Sequence, residues 1–112
     1  MNLTFDEYQK RALTTALSSG DQMRDLSHWT LGIVGEGGEV AEKVKKLIRD
    51  FDGELSVEAK TELAKEVGDV LWYLAVMADF LGISFNEVAQ QNLNKLASRK
   101  QRDKLHGNGD NR

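Results

Sequence analysis

An all-α, four-helix bundle-like fold is predicted by three features of this 112-residue sequence. Proline is absent, apolar residues recur at three- and four-residue steps rather than alternating, and two capping-box patterns mark helix starts. Thr4 and Glu7 open the first helix, which runs to about Ser18 before Ser19, Gly20 and Asp21 break it. The second begins near Ser27, carries Leu31, Val34, Val40, Val44 and Leu47, and fades into a turn at Asp50 to Gly53. Gly32, Gly35, Gly37 and Gly38 interrupt it at roughly 1 kcal/mol each relative to alanine. Either a backbone or a ligand comes close there, or the helix is kinked. The third helix starts near Ser56 and reaches Phe80 or Leu81 with an apolar stripe through Val67, Leu71, Leu74, Met77, Ala78 and Leu81, and Gly82 stops it. Ser84 and Glu87 open the fourth, which continues through Val88, Leu93 and Leu96 toward Arg102 or Lys104. Residues 104–112 form a flexible C-terminal tail.

The chain reads as one domain, 1–112, because 40% hydrophobic content in this length leaves little room for a second core. A net charge of -3 indicates neither a polybasic nucleic-acid surface nor a disordered acidic tail. With no cysteine, disulfides, thiolate ligands and cysteine nucleophiles are all excluded. The acidic N-terminus lacks a signal-peptide core, and no stretch approaches the roughly 20 apolar residues of a membrane span. The expectation is a cytoplasmic protein that binds neither membrane nor nucleic acid. A bundle this small, with long helices, is expected to complete its core as a homodimer or homotetramer.

Four acids carry the chemistry. Glu36 and Glu39 lie three residues apart on the second helix, Glu66 and Asp69 repeat that spacing on the third, and at about 100° per residue each pair faces one side of its helix. Antiparallel packing would bring four mutually repelling carboxylates together, a conflict that a cation resolves. All four are hard oxygen donors, and His28 and His106 lie outside both pairs. Magnesium, with manganese as a substitute, is therefore favoured over zinc, and a di-iron site built on Glu and His is disfavoured.

The segments GEGGEVAEKVKK at 35–46 and KEVGDVLWYL at 65–74 resemble the paired-acid signature of the MazG-like nucleotide pyrophosphohydrolase family. FDEYQKRALTT near the start, NLNKLASRKQR at 92–102 and the terminal GNGDNR resemble the same family in the same order, so the similarity spans nearly the whole chain. It implies an all-α fold, magnesium dependence, and cleavage of a nucleoside triphosphate between its α and β phosphates to give a monophosphate and pyrophosphate. One position departs: Gly35 stands where the family often has a second acid before Glu36, so any role of that acid is absent or supplied elsewhere.

Helical steps from Trp29 reach Gly32, Glu36, Glu39, Lys43 and Lys46, an order suited to a nucleotide: Trp29 stacks on a base and the lysines balance phosphate charge. The alternative is a core tryptophan and ordinary surface pairs of about 0.2–0.5 kcal/mol. On the third helix Tyr73 lies beyond the acids, facing sugar or base, or else anchored as a buried tyrosine. On the fourth, Asn92, Lys95, Arg99 and Arg102 form a cationic strip, and the family resemblance at Asn92, Lys95 and Arg99 favours phosphate contact over solvation. Gln9 is a candidate base contact, and Asp110 and Arg112 are candidate ligand contacts on a closing tail. Glu39 is the choice for a catalytic base. Rival readings are a pyrophosphohydrolase acting on a modified or histidine-pathway nucleotide, a non-catalytic helical interaction module, and a nucleic-acid-binding module, the last opposed by the acidic total.

Overall fold

The structure is a computed structural model, and it describes residues 2–112. It is all-helical, with α1 (Phe5–Leu13), α2 (Gln22–Phe51), α3 (Val57–Phe80) and α4 (Phe85–Gln101), and no strand among the described residues. Each helix begins at a side-chain cap. Thr4, Asp21, Ser56 and Ser84 accept hydrogen bonds from the N–H groups of Glu7, Arg24, Ala59 and Glu87, satisfying donors that the helices leave orphaned. The two capping-box patterns are realised by half: Glu7 turns to Arg11 and Glu87 to Gln91.

Two boundaries differ from the sequence reading. α1 stops at Leu13 rather than near Ser18, because the hydroxyls of Thr14 and Thr15 bond back to the carbonyls of Arg11 and Ala12 and end the ladder. α2 starts at Gln22 rather than near Ser27, because Asp21 caps it directly after the break at Gly20. Asp25 is consequently a first-turn residue. Its buried carboxylate accepts bonds from the Ser18 hydroxyl at 2.7 Å, the Ser19 hydroxyl at 2.7 Å and the Ser19 N–H at 2.9 Å, pinning the α1–α2 turn. α3 begins and ends as expected, with Gly82 at φ +77 behind it, a conformation that favours glycine.

α2 and α3 form a long antiparallel hairpin. α1 and α4 pack against each other and against α3, and neither touches α2. The core lies where those three helices meet: Ala12, Ala75, Ala78 and Phe85, with Tyr8, Leu71, Trp72, Ile83 and Val88 around them. Buried Gln9 binds this junction together by donating to the carbonyls of Ala75 at 3.1 Å and Ile83 at 3.3 Å and accepting from the N–H of Phe85 at 3.1 Å. Asp6 and Asn86 cap each other's helices reciprocally, at 3.2 and 2.8 Å.

The protomer is open. Its radius of gyration is 17.0 Å, whereas a compact chain of this length has about 13 Å. Apolar side chains stay exposed on α2 (Leu31 and Val34), on α3 and its C-cap (Val67, Leu74 and Leu81) and on α4 (Leu93 and Leu96). No single helix among the described residues is long and apolar enough to cross a membrane.

Candidate active site

The α2–α3 hairpin brings Glu36, Glu66 and Asp69 together, each offering a carboxylate oxygen within 4.8 Å of the others. Antiparallel pairing explains the meeting, since Glu36 sits midway along α2 and Glu66 and Asp69 occupy the facing stretch of α3. Glu39 is not one of the three. It lies one turn on along α2, exposed, and close enough for its charge to act on Glu36. The Glu36 carboxyl is raised above the ordinary glutamate range, first by burial and then by the negative charges of Asp69, Glu66 and Glu39. That repulsion is the electrostatic condition of a cation site. Twice a magnesium–oxygen distance is about 4.2 Å, so oxygens within 4.8 Å reach one hard ion with small torsional changes, and the all-oxygen donor set suits it.

Lys43 belongs to the same group. Its ammonium lies 3.5 Å from Glu66 and 3.8 Å from Glu62, so an intramolecular cation already offsets part of the acidic charge. Lys46 pairs instead with Glu42 at 3.9 Å on the exposed side of α2. Lys43 and Lys46 also edge a cavity of about 450 Å³, which Leu47, Phe51, Ala59 and Leu63 line near the turn of the hairpin.

The expectation for Trp29 needs correction. Trp29 is only 4% exposed, with His28 stacked on it at 4.6 Å and Trp72 edge-on at 6.0 Å, so no base can stack on it in this protomer. Tyr73 packs over Gly32, where a Cβ would meet the ring at 2.1 Å, and this close approach accounts for that glycine. At Gly35, Gly37 and Gly38 a Cβ would meet nothing within 4 Å. Gln9 uses both amide hydrogens and its oxygen inside the fold, so the base contact expected of it is replaced by a structural one. On the N-terminal helix, the Tyr8 hydroxyl has its pKa raised by burial and then by the charge of Asp69.

The cationic strip of α4 engages the C-terminal tail, not Glu36 on α2. Asn92 is exposed on α4, Lys95 and Arg99 engage Asp110, and α4 makes no contact with α2. The tail is tied down: Arg112 donates to the carbonyls of Lys104, Leu105 and Gly109, and Arg102 donates to the Arg112 carbonyl. In this protomer Asp110 and Arg112 therefore serve the tail's own structure. Sequence reasoning missed Asp25 because its helix start was placed too late, and it missed the stacking of His28 on Trp29 because histidine was weighed only as a metal ligand or a triad member.

Comparison with known proteins agrees with this geometry. Residues 25–102 match the model of the MazG nucleotide pyrophosphohydrolase domain. The chain is 48% identical over 111 residues to the gene 37 protein of Mycobacterium phage L5, covering 96% of this chain and 97% of that protein. It is 35% identical over 72 residues to the uncharacterized protein YvdC of Bacillus subtilis strain 168, covering 60% of this chain and 68% of that one. No solved structure gives a significant match. With the acids of the matched region converging across two helices, the chain belongs to the MazG nucleotide pyrophosphohydrolase family.

Proposed function

We propose that this protein hydrolyses a nucleoside triphosphate to the monophosphate and pyrophosphate, as a magnesium-dependent enzyme of nucleotide-pool cleaning. The observation that carries the reading is the convergence of Glu36, Glu66 and Asp69 within a family-matched hairpin. Magnesium, or manganese in its place, supplies charge neutralisation on the phosphates and a water of lowered pKa when bound. Glu36, Glu66 and Asp69 hold the ion and fix where the triphosphate lies. Glu39, outside that trio, is the carboxylate free to accept a proton from the attacking water. Lys43, now paired with Glu66 at 3.5 Å, is the ammonium that would balance phosphate charge beside a bound cation. Tyr73, at the end of the acidic strip, faces the sugar or base.

Asn92, Lys95 and Arg99 act from a second copy of the chain. Their own α4 is held off α2, while the exposed apolar strips on α3 and α4 offer a surface for a like molecule. The partner is therefore a homodimer or homotetramer whose sites combine one hairpin with a neighbour's α4.

Pyrophosphate release from a panel of canonical and modified nucleoside triphosphates, with and without magnesium, tests the reading. Native protein should turn over at least one of them only with magnesium, and Glu66→Gln should lose 10²-fold or more, on the order of 3 kcal/mol of barrier. Folded native protein that releases no pyrophosphate from any nucleotide would overturn it.

A further inference from the structure

Arg99 is 5% exposed, and its Nε is buried with no hydrogen-bond partner among the described residues. Its Nη2 donates both to the Asp110 backbone carbonyl and, at 3.1 Å, to the Asp110 carboxylate, whose same oxygen accepts from Lys95 at 2.7 Å. A guanidinium recognises an oxyanion best through two parallel N–H groups on one edge. Asp110 engages only half of the Nε–Nη2 edge. The charges are also unequal, with two cations facing one carboxylate. A phosphate group has an oxygen for each of the two edge donors, another for Lys95, and up to two negative charges.

We propose that Asp110 is an internal occupant of a phosphate-binding site formed by Lys95 and Arg99, and that a phosphate oxyanion must displace the tail carboxylate to enter. The tail is built for release as a unit. Its ring of bonds from Arg112 to Lys104, Leu105 and Gly109 is internal; the Lys104 N–H donates to the Arg99 carbonyl at 2.6 Å where the chain leaves α4, and beyond that exit the hydrogen bonds to α4 and its cap are the Asp110 contacts and the Arg102 bond to the Arg112 carbonyl. In the empty site Asp110 keeps a buried guanidinium from lying uncompensated, and its carboxyl is held below the usual aspartate range by the bonds from Lys95 and Arg99. Loss of Asp110 would free the site and tighten phosphate binding, the reverse of what a substrate-contacting residue would do. The proposal rests on the phosphate role given above to Lys95 and Arg99, but it can be tested without turnover.

The test is an NMR titration of the full chain with inorganic pyrophosphate, magnesium excluded by chelation, following the Lys95 amide and the Arg99 Nε–H. Asp110→Asn should bind pyrophosphate several-fold more tightly than native protein, with the Arg99 Nε–H moving on binding. Asp103→Asn makes the same change of net charge just beyond α4 without opening the clasp, and should bind like native. Adding Lys95→Gln to Asp110→Asn should remove the gain. Equal or weaker binding by Asp110→Asn, or an equal gain from Asp103→Asn, would overturn the proposal. Triphosphate turnover measured in parallel separates the two readings: tighter pyrophosphate binding without turnover leaves the clasp and removes the hydrolase, and turnover with unchanged binding does the opposite.

Discussion

Asp25 gathers three hydrogen bonds on one buried carboxylate, and all three hold its charged form. The Ser18 hydroxyl, then the Ser19 hydroxyl and N–H, lower its pKa from the ordinary aspartate value, with a smaller contribution from His28. A carboxylate whose folded pKa is depressed contributes stability that is complete above the unfolded-state value near 4 and disappears as pH falls through the lower folded value. Asp25→Asn should therefore lower the melting temperature by its full amount at pH 7, with the gap to native closing below about pH 4. Thermal melts across that range check this, and a gap independent of pH would show that the carboxylate's charge is not what pins the turn. Glu36 has the opposite sign. Its pKa is raised, so its ionisation weakens the fold as pH climbs through the raised value, and the strain is confined to the position where a cation is wanted.

Among the helical elements, α2 shows most clearly how glycine divides between packing and function. Gly32→Ala drives a Cβ into the Tyr73 ring and should cost about 1–3 kcal/mol, whereas Gly38→Ala meets open space and should stabilise the protomer by up to about 1 kcal/mol. Urea unfolding of both variants at a concentration that keeps the chain monomeric tests the pair. A stabilised Gly32→Ala would mean that the tyrosine does not sit where it is described. The same helix marks the boundary of what sequence could disclose. Its acid spacing and that of α3 were legible because helical period alone puts Glu36 and Glu39 on one side of α2, and Glu66 and Asp69 on one side of α3. The separation of Glu39 from the trio was not legible, since three-residue spacing leaves the inter-helix rotation undetermined. Trp29 was misplaced for a related reason: a strip that starts at the core and ends at the site cannot be divided without knowing where α3 lies. Polar brackets such as Gln9 to Phe85 join residues 76 apart, and no local pattern announces them.

At the scale of the whole molecule, four helices and their order were readable, and the openness of their arrangement was not, because periodicity counts apolar faces without saying what covers them. The exposed leucines and valines and the 17.0 Å radius of gyration predict self-association. Sedimentation should give a dimer or larger species for the native chain, while Leu81→Asp, at an exposed position that leaves the acids untouched, should shift it toward monomer and reduce turnover at least tenfold. A native chain that sediments as a monomer at every concentration would refute this. The reciprocal caps between Asp6 and Asn86, together with the Gln9 bonds to Ile83 and Phe85, impose an order of events during folding. The α2–α3 hairpin needs only neighbours in sequence, but the seat of α1, begun on α3, is not complete until a segment some 80 residues later exists. On the ribosome, α1 is made before the other three helices and is among the last of the four to be fixed. Until then its apolar face and the junction it covers stay open to competing contacts, and the chain's two ends lock in one late step.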